Sequence, residues 1–185
     1  MNPRARPPSQ RELQEAGKLL ARVAVGGSGT ASVETGVSVL DHLLALLARY
    51  GSFDLTLQLA PAAPAEQVTA AGRALGEMLH DLLRAEGASG HGTAMLPSDE
   101  ALGAASLDLS DDPRVHSNVD LTRVHVAGLE DDLAATFLDE LARSAGLDLH
   151  VRLLEGQEEQ HVLEAIFKAL GWALGQATTP RRRTE

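Results

Sequence analysis

The sequence predicts an α/β protein of the two-layer α+β kind, made by tandem duplication of one small unit, with helices packed between two mixed sheets. Three observations carry this reading. Residues 47–59 (LARYGSFDLTLQL) align without a gap on residues 141–153 (LARSAGLDLHVRL). Each copy ends an amphipathic helix, passes a Gly (Gly51 or Gly146) that can take the left-handed, helix-ending conformation, and continues as an alternating strand, Leu55/Leu57/Leu59 in one and Leu149/Val151/Leu153 in the other. A second helix follows each strand, and both helices carry Ala-Leu-Gly, at 74–76 and 169–171.

Taken in order, residues 1–10 hold three prolines and two arginines with no apolar period, and read as a disordered arm. The first repeat runs 11–95, the second 96–178, and 179–185 form a tail; together the repeats make one compact domain. Residues 20–25 alternate and end at Gly26-Gly27-Ser28-Gly29, a turn signal, and 31–34 are the return strand. A helix follows Thr35-Gly36, with Asp41 placed to cap it. The Ala/Pro-rich stretch 60–65 reads as a loop before a helix over 66–83, and the Gly-rich stretch 87–92 as another loop. Residues 103–108 and 117–126 supply strands, and Glu130-Asp131-Asp132 favour the positive end of the next helix. The last helix spans 159–176.

Composition removes several function classes. With no cysteine there is no disulfide, thiolate metal site or thiol nucleophile. A net charge of -10 and an aromatic content of 3% disfavour a nucleic-acid or anionic membrane partner. No apolar run reaches the ~20 residues that cross a bilayer, and the first residues lack a signal peptide's apolar segment, so a cytoplasmic protein is expected.

Seven histidines remain as candidates for chemistry. His42 lies near a helix start. His161 and Glu164, three apart on a helix, share a face, and imidazole with carboxylate suits a transition metal or paired acid–base work. His150 sits mid-strand on the polar side of Leu149 and Val151. The repeat partners of His150, His161 and Glu164 are Thr56, Glu66 and Thr69, so the potential ligands belong to the second copy. His80 and His91 read as exposed, and His116 and His125 as strand-flanking residues without a nameable partner. Trp172 reads as core or subunit contact.

Thr35-Gly36, Leu40-Asp41-His42-Leu43-Leu44 and Tyr50-Gly51-Ser52-Phe53-Asp54-Leu55-Thr56 form one set of motifs. Asp99-Glu100-Ala101-Leu102, Gly146-Leu147-Asp148-Leu149-His150-Val151-Arg152 and His161-Val162-Leu163-Glu164-Ala165-Ile166-Phe167-Lys168-Ala169 form the rest. In this order, over about residues 15–178, they resemble the imidazoleglycerol-phosphate dehydratase family of histidine biosynthesis. The resemblance implies a repeat unit like the second domain of ribosomal protein S5. It also implies trimers that associate into a 24-subunit shell, and two manganese ions per site. It assigns metal ligation to His42, His150, His161 and Glu164, proton transfer to Glu164, and substrate binding to Lys168, Asp99 and Glu100.

The chain departs from the family pattern at named positions. A His-His-x-x-Glu-Asp block is replaced by Ala65-Glu66-Gln67-Val68-Thr69-Ala70, and the second block reads Gln160-His161-Val162-Leu163-Glu164. Gly90 and Asp112 stand where the family has arginines, with Arg114 nearby. The C-terminal Ser-x-Lys-Gly is missing, and a family glutamate falls near Ala16, beside Glu15. The four surviving ligands divide between two ions, whereas catalytic sites supply three or more donors per ion. The expectation is a family member with lost or strongly weakened dehydratase activity, a self-associating scaffold or ligand-binding protein without a resident cofactor. One alternative is a working dehydratase using manganese, a reduced metal site and a small phosphate substrate. Another is a different enzyme using His150, His161 and Glu164 without metal.

Overall fold

The computed structural model describes residues 20–121 and 132–179. Strands β1 (Leu20–Ala24) and β2 (Ala31–Glu34) precede helix α1 (Ser38–Gly51), strand β3 (Asp54–Gln58) and helix α2 (Pro64–Leu83). Then come β4 (His91–Ser98), β5 (Ala101–Leu109), β6 (Val115–Ser117), α3 (Leu133–Ala145), β7 (Leu147–Glu155) and α4 (Glu159–Thr178).

The two halves share one topology. β3 lies between β1, antiparallel to it, and β2, parallel to it. β7 lies between β5, antiparallel, and β6, parallel, with β4 added on the far edge of β5. This is the duplication expected from the repeat. The helices lie between the two sheets: α1 and α2 pack on the first, α4 on β4 and β5, and α1 meets α4 while α2 meets α3. Inward residues of both sheets and the apolar helix stripes, among them Leu44, Leu55, Leu75, Phe137, Leu149, Phe167 and Leu170, form one core.

Glycines let the helices approach this closely. A Cβ on Gly171 would stand 2.3 Å from the carbonyl oxygen of Leu47 in α1, and one on Gly76 would stand 2.7 Å from that of Leu141 in α3. The shared Ala-Leu-Gly is therefore a packing device at both helix–helix contacts. The turn after each first helix also repeats: Ser52 (φ 55°) and its aligned partner Gly146 (φ 69°) both take the left-handed conformation. Gly51, expected to end the first helix, stays helical and instead lets α1 approach α4, where a Cβ would meet the carbonyl of Gly171 at 2.7 Å.

Several expectations need correction. α2 begins at Pro64, inside the expected loop, because proline at the first helical position loses no hydrogen bond. β4 begins at His91, so the loop over 87–92 is shorter than read. Of the described part of the run, 117–121, only Ser117 is in a strand, β6; residues 122–131, with His125, lie outside the described residues. Asp132 makes no capping bond and itself sits at φ 65°. Asp41 works from inside the first turn of α1, accepting from the Thr35 backbone N–H at 2.9 Å and its hydroxyl at 2.5 Å. Trp172 is 48% exposed and so is not core within the chain. The arm, Glu15, Ala16 and residues 180–185 also lie outside the described residues. No helix among the described residues is long and apolar enough to cross a membrane.

Candidate functional site

Polar side chains converge at the head of α4, where that helix meets α1 and the β4–β5 turn. His161, Glu164 and Lys168 recur at helical spacing on one face of α4. The hairpin turn brings Ser98, Asp99 and Glu100 to that face, with Asp99 at φ 46°. α1 contributes His42 from the opposite side.

Glu164 is the hub. Its side chain is only 14% exposed, and its Oε1 lies 3.0 Å from His42 Nε2. Gln160 Nε2 donates to the same oxygen at 3.1 Å, and Ser98 Oγ donates to Oε2 at 2.7 Å. Burial pushes the Glu164 carboxyl up, but the hydrogen bonds from Ser98, Gln160 and His42 outweigh it and hold the group below the usual glutamate value. Lys168 Nζ donates to Ser98 Oγ at 2.9 Å and stands 5.9 Å over the Tyr50 ring. An imidazole, a carboxylate, a hydroxyl and an ammonium thus form one chain of contacts across α1, β4 and α4.

A second group adjoins it. His161 Nδ1 lies 2.5 Å from Glu100 Oε2, and its Nε2 lies 3.4 Å from Asp99 Oδ2. The Glu158 backbone N–H, at 3.0 Å, and the His161 ring hold Glu100 down to about 2. Reciprocally, the bond to Glu100 raises His161 above its ordinary value. This pair keeps the imidazolium form of His161 available near neutral pH.

The residues expected from sequence fall into three places. His42, Glu164 and Lys168 come together, and Asp99 and Glu100 gather on His161 beside them. His150 does not join: Leu149 and Val151 face the helices, so His150 points from the outer face of β7, near His116 and Asp148. Ser98, the bridge between Glu164 and Lys168, was not singled out, although it directly precedes the Asp99-Glu100 motif. His116, read as partnerless, lies 3.0 Å from Asp148. His80 is only half exposed, beside Asp81, and the His91 ring approaches the Ser89 carbonyl at 3.0 Å.

The first copy shows what is missing. At the head of α2, Ala65, Glu66, Thr69, Ala70 and Arg73 line a shallow open recess, and Thr69 Oγ1 donates to the Ala65 carbonyl at 2.8 Å. Among the described residues, no imidazole lines this recess. Arg114, the neighbour considered as a substitute for a lost arginine, is paired with Asp112. The manganese pair that the resemblance implies does not fit these residues within one chain. Among the described residues, His42, His161 and Glu164 belong to no three-donor cluster, and His150 faces away from them.

Comparison with known proteins bears on the identity of this arrangement. The family profile described as imidazoleglycerol-phosphate dehydratase matches residues 35–174. The imidazoleglycerol-phosphate dehydratase of Trichlorobacter lovleyi is 37% identical over 161 residues, covering 85% of this chain and 83% of that protein. That of Moorella thermoacetica is 38% identical over 162 residues, covering 85% and 83%. The crystal structure of IGPD from Pyrococcus furiosus in complex with (S)-C348 superposes with a TM-score of 0.78 at 29% identity, covering 90% of this chain and 92% of that one. The Staphylococcus aureus imidazoleglycerol-phosphate dehydratase gives 0.79 at 27% identity, covering 88% and 95%.

Proposed function

The chain belongs to the imidazoleglycerol-phosphate dehydratase family of histidine biosynthesis, and from that premise we propose that it dehydrates imidazoleglycerol phosphate slowly, at the head of α4, with a site reduced to the second copy's residues and His42. The names of its relatives support this reading over complete loss of activity. The observation that carries it is the contact chain His42–Glu164–Ser98–Lys168, which survives intact while the block at the head of α2 does not.

The roles follow from the chemistry of each group. Glu164, held below the usual glutamate value, is the base that takes a proton from the substrate. His42, 3.0 Å from it and half exposed, orients the carboxylate and passes the proton to solvent. His161, raised by Glu100, supplies a proton to the leaving hydroxyl. Lys168 offers the phosphate a positive charge. The acidic neighbours Glu100, Glu155 and Glu158, which line a recess beside the site, oppose that charge and weaken phosphate binding. Among the described residues, one chain does not assemble the ligands of a manganese pair.

A second reading, ligand binding without turnover, is favoured by the loss of imidazole at the head of α2 and by the Asp112–Arg114 pair. Assay of the purified protein on imidazoleglycerol phosphate, with and without Mn2+, beside calorimetric titration of that compound, separates the two. Turnover supports the dehydratase reading. Binding without turnover supports the second, and the absence of both sinks the substrate assignment. We also infer that the protein associates with copies of itself, a reading supported by exposed apolar side chains such as Trp172 and Met95.

A further inference from the structure

The outer face of the second sheet carries a separate cluster, independent of the dehydratase reading. We propose that His116, Asp148 and His150 form a binding site for a divalent transition ion of the Zn2+, Co2+ or Ni2+ class. β6 and β7 pair in parallel with His116 opposite His150, which sets the two imidazoles side by side, 4.5 Å between centroids and 21° apart. Asp148 lies two residues before His150 on the same strand and so on the same face. His116 Nε2 is 3.0 Å from Asp148 Oδ1, and His150 Nε2 is 4.0 Å from Asp148 Oδ2. One donor atom from each residue lies within 4.8 Å of the others, the only such trio among the described residues.

The state of Asp148 is the second observation. Its Oδ1 is buried and accepts no hydrogen bond, although His116 Nε2 is 3.0 Å away, because the contact lacks hydrogen-bond alignment. Buried carboxylate oxygens are normally satisfied, and a shared ion satisfies this one. Donors about 2.0–2.1 Å from such an ion stand roughly 3.0–3.4 Å apart, which small side-chain rotations reach here. Two imidazoles and one carboxylate select borderline transition ions over Mg2+ and Ca2+.

The surrounding charges act in both directions. Asp108 lies opposite Asp148 across the β5–β7 ladder and adds negative charge. Arg152 opposes it. Its Nη1 donates to the carbonyls of His116 at 2.7 Å and Val151 at 2.8 Å, and its Nη2 comes within 3.4 Å of His150 Nδ1. An ion on Nε2 leaves the proton on Nδ1, so the Nη2 contact must yield while both Nη1 bonds persist. Arg152 thus weakens the site without closing it.

The test is calorimetric titration of Zn2+ into the chelator-treated full chain, with Co2+ absorption as a report on coordination. One equivalent is expected. His116→Ala and Asp148→Asn should each weaken binding by at least about tenfold, Arg152→Gln should strengthen it, and His42→Ala should change nothing. Asp148→Asn keeps the shape of the side chain and decides the matter where His116→Ala fails to fold, as judged by circular dichroism. The proposal is overturned by no binding, by His116→Ala binding as wild type does, or by loss of binding in His42→Ala.

Discussion

The two copies have the same backbone and different polar chemistry, and the aligned strands β3 and β7 show how. In β3, Asp54 Oδ1 accepts from the backbone N–H groups of Ser28 and Thr30 and from the Ser28 hydroxyl, at 2.9, 3.2 and 3.0 Å. The side chain fastens the β1–β2 turn. In β7 the aligned Asp148 faces two imidazoles and leaves one oxygen without a hydrogen bond. At the heads of the second helices, Thr69 bonds its own helix backbone, whereas Glu164 gathers His42, Gln160 and Ser98. The core and the turns tolerate only residues of the right size and backbone conformation, so both copies keep them. Polar positions away from the core are bound by no such constraint; in the first copy they serve local structure, and in the second they converge on one another.

The sharpest way to break this comparison is to remove the carboxylate hub from one copy and its counterpart from the other. Glu164→Gln should lower kcat of whatever turnover the dehydration assay finds by about 10²-fold, the low end of general-base contributions. Thr69→Val should leave it unchanged, because among the described residues that hydroxyl bonds only the Ala65 carbonyl. Equal losses in steady-state kinetics would mean that the first copy still takes part.

Packing, in contrast, should respond alike in both copies. Gly171→Ala sets a Cβ against the Leu47 carbonyl, and Gly76→Ala sets one against the Leu141 carbonyl and the Ser144 Cβ. Each should cost about 1–3 kcal/mol in denaturant unfolding, as overpacking of a tight contact does. Gly171→Ala should be the worse, since its nearest backbone atom would lie at 2.3 Å against 2.7 Å. A neutral result at either site would show that the two helix contacts are not equivalent.

How much of this was legible in the sequence follows from the same division. The repeat, both alternating strands and the shared Ala-Leu-Gly could be read because backbone conformation and core packing act on neighbours along the chain. His42, Glu164 and Lys168 could be nominated through family motifs, but their convergence depends on α1 lying against α4, which no local pattern states. Ser98 was missed for that reason, since its partners are 66 and 70 residues away. His116 was read as partnerless because its neighbour is set by the parallel β6–β7 register, a pairing made across the intervening helix. Asp132 and Gly51 misled because capping and left-handed turns can shift by one residue when tertiary contacts demand it.

The smallest expected effect concerns the two aligned aspartates themselves. The Thr30 backbone N–H, with the Ser28 hydroxyl next, holds Asp54 below its ordinary value of 3.8, outweighing the opposing effect of burial. A carboxyl depressed by folding adds stability at pH values above its unfolded pKa and loses it as pH falls through the folded one. Asp54→Asn should therefore melt below wild type at neutral pH, and the gap should close as the buffer is taken below pH 3.8. Asp148→Asn removes no hydrogen bond at Oδ1 and should melt close to wild type in the absence of metal. Thermal unfolding of the three proteins across this range measures both differences at once. If Asp148→Asn were the more destabilised at neutral pH, the second copy's aspartate would be a structural tie like the first, and the contrast between the two strands would fail.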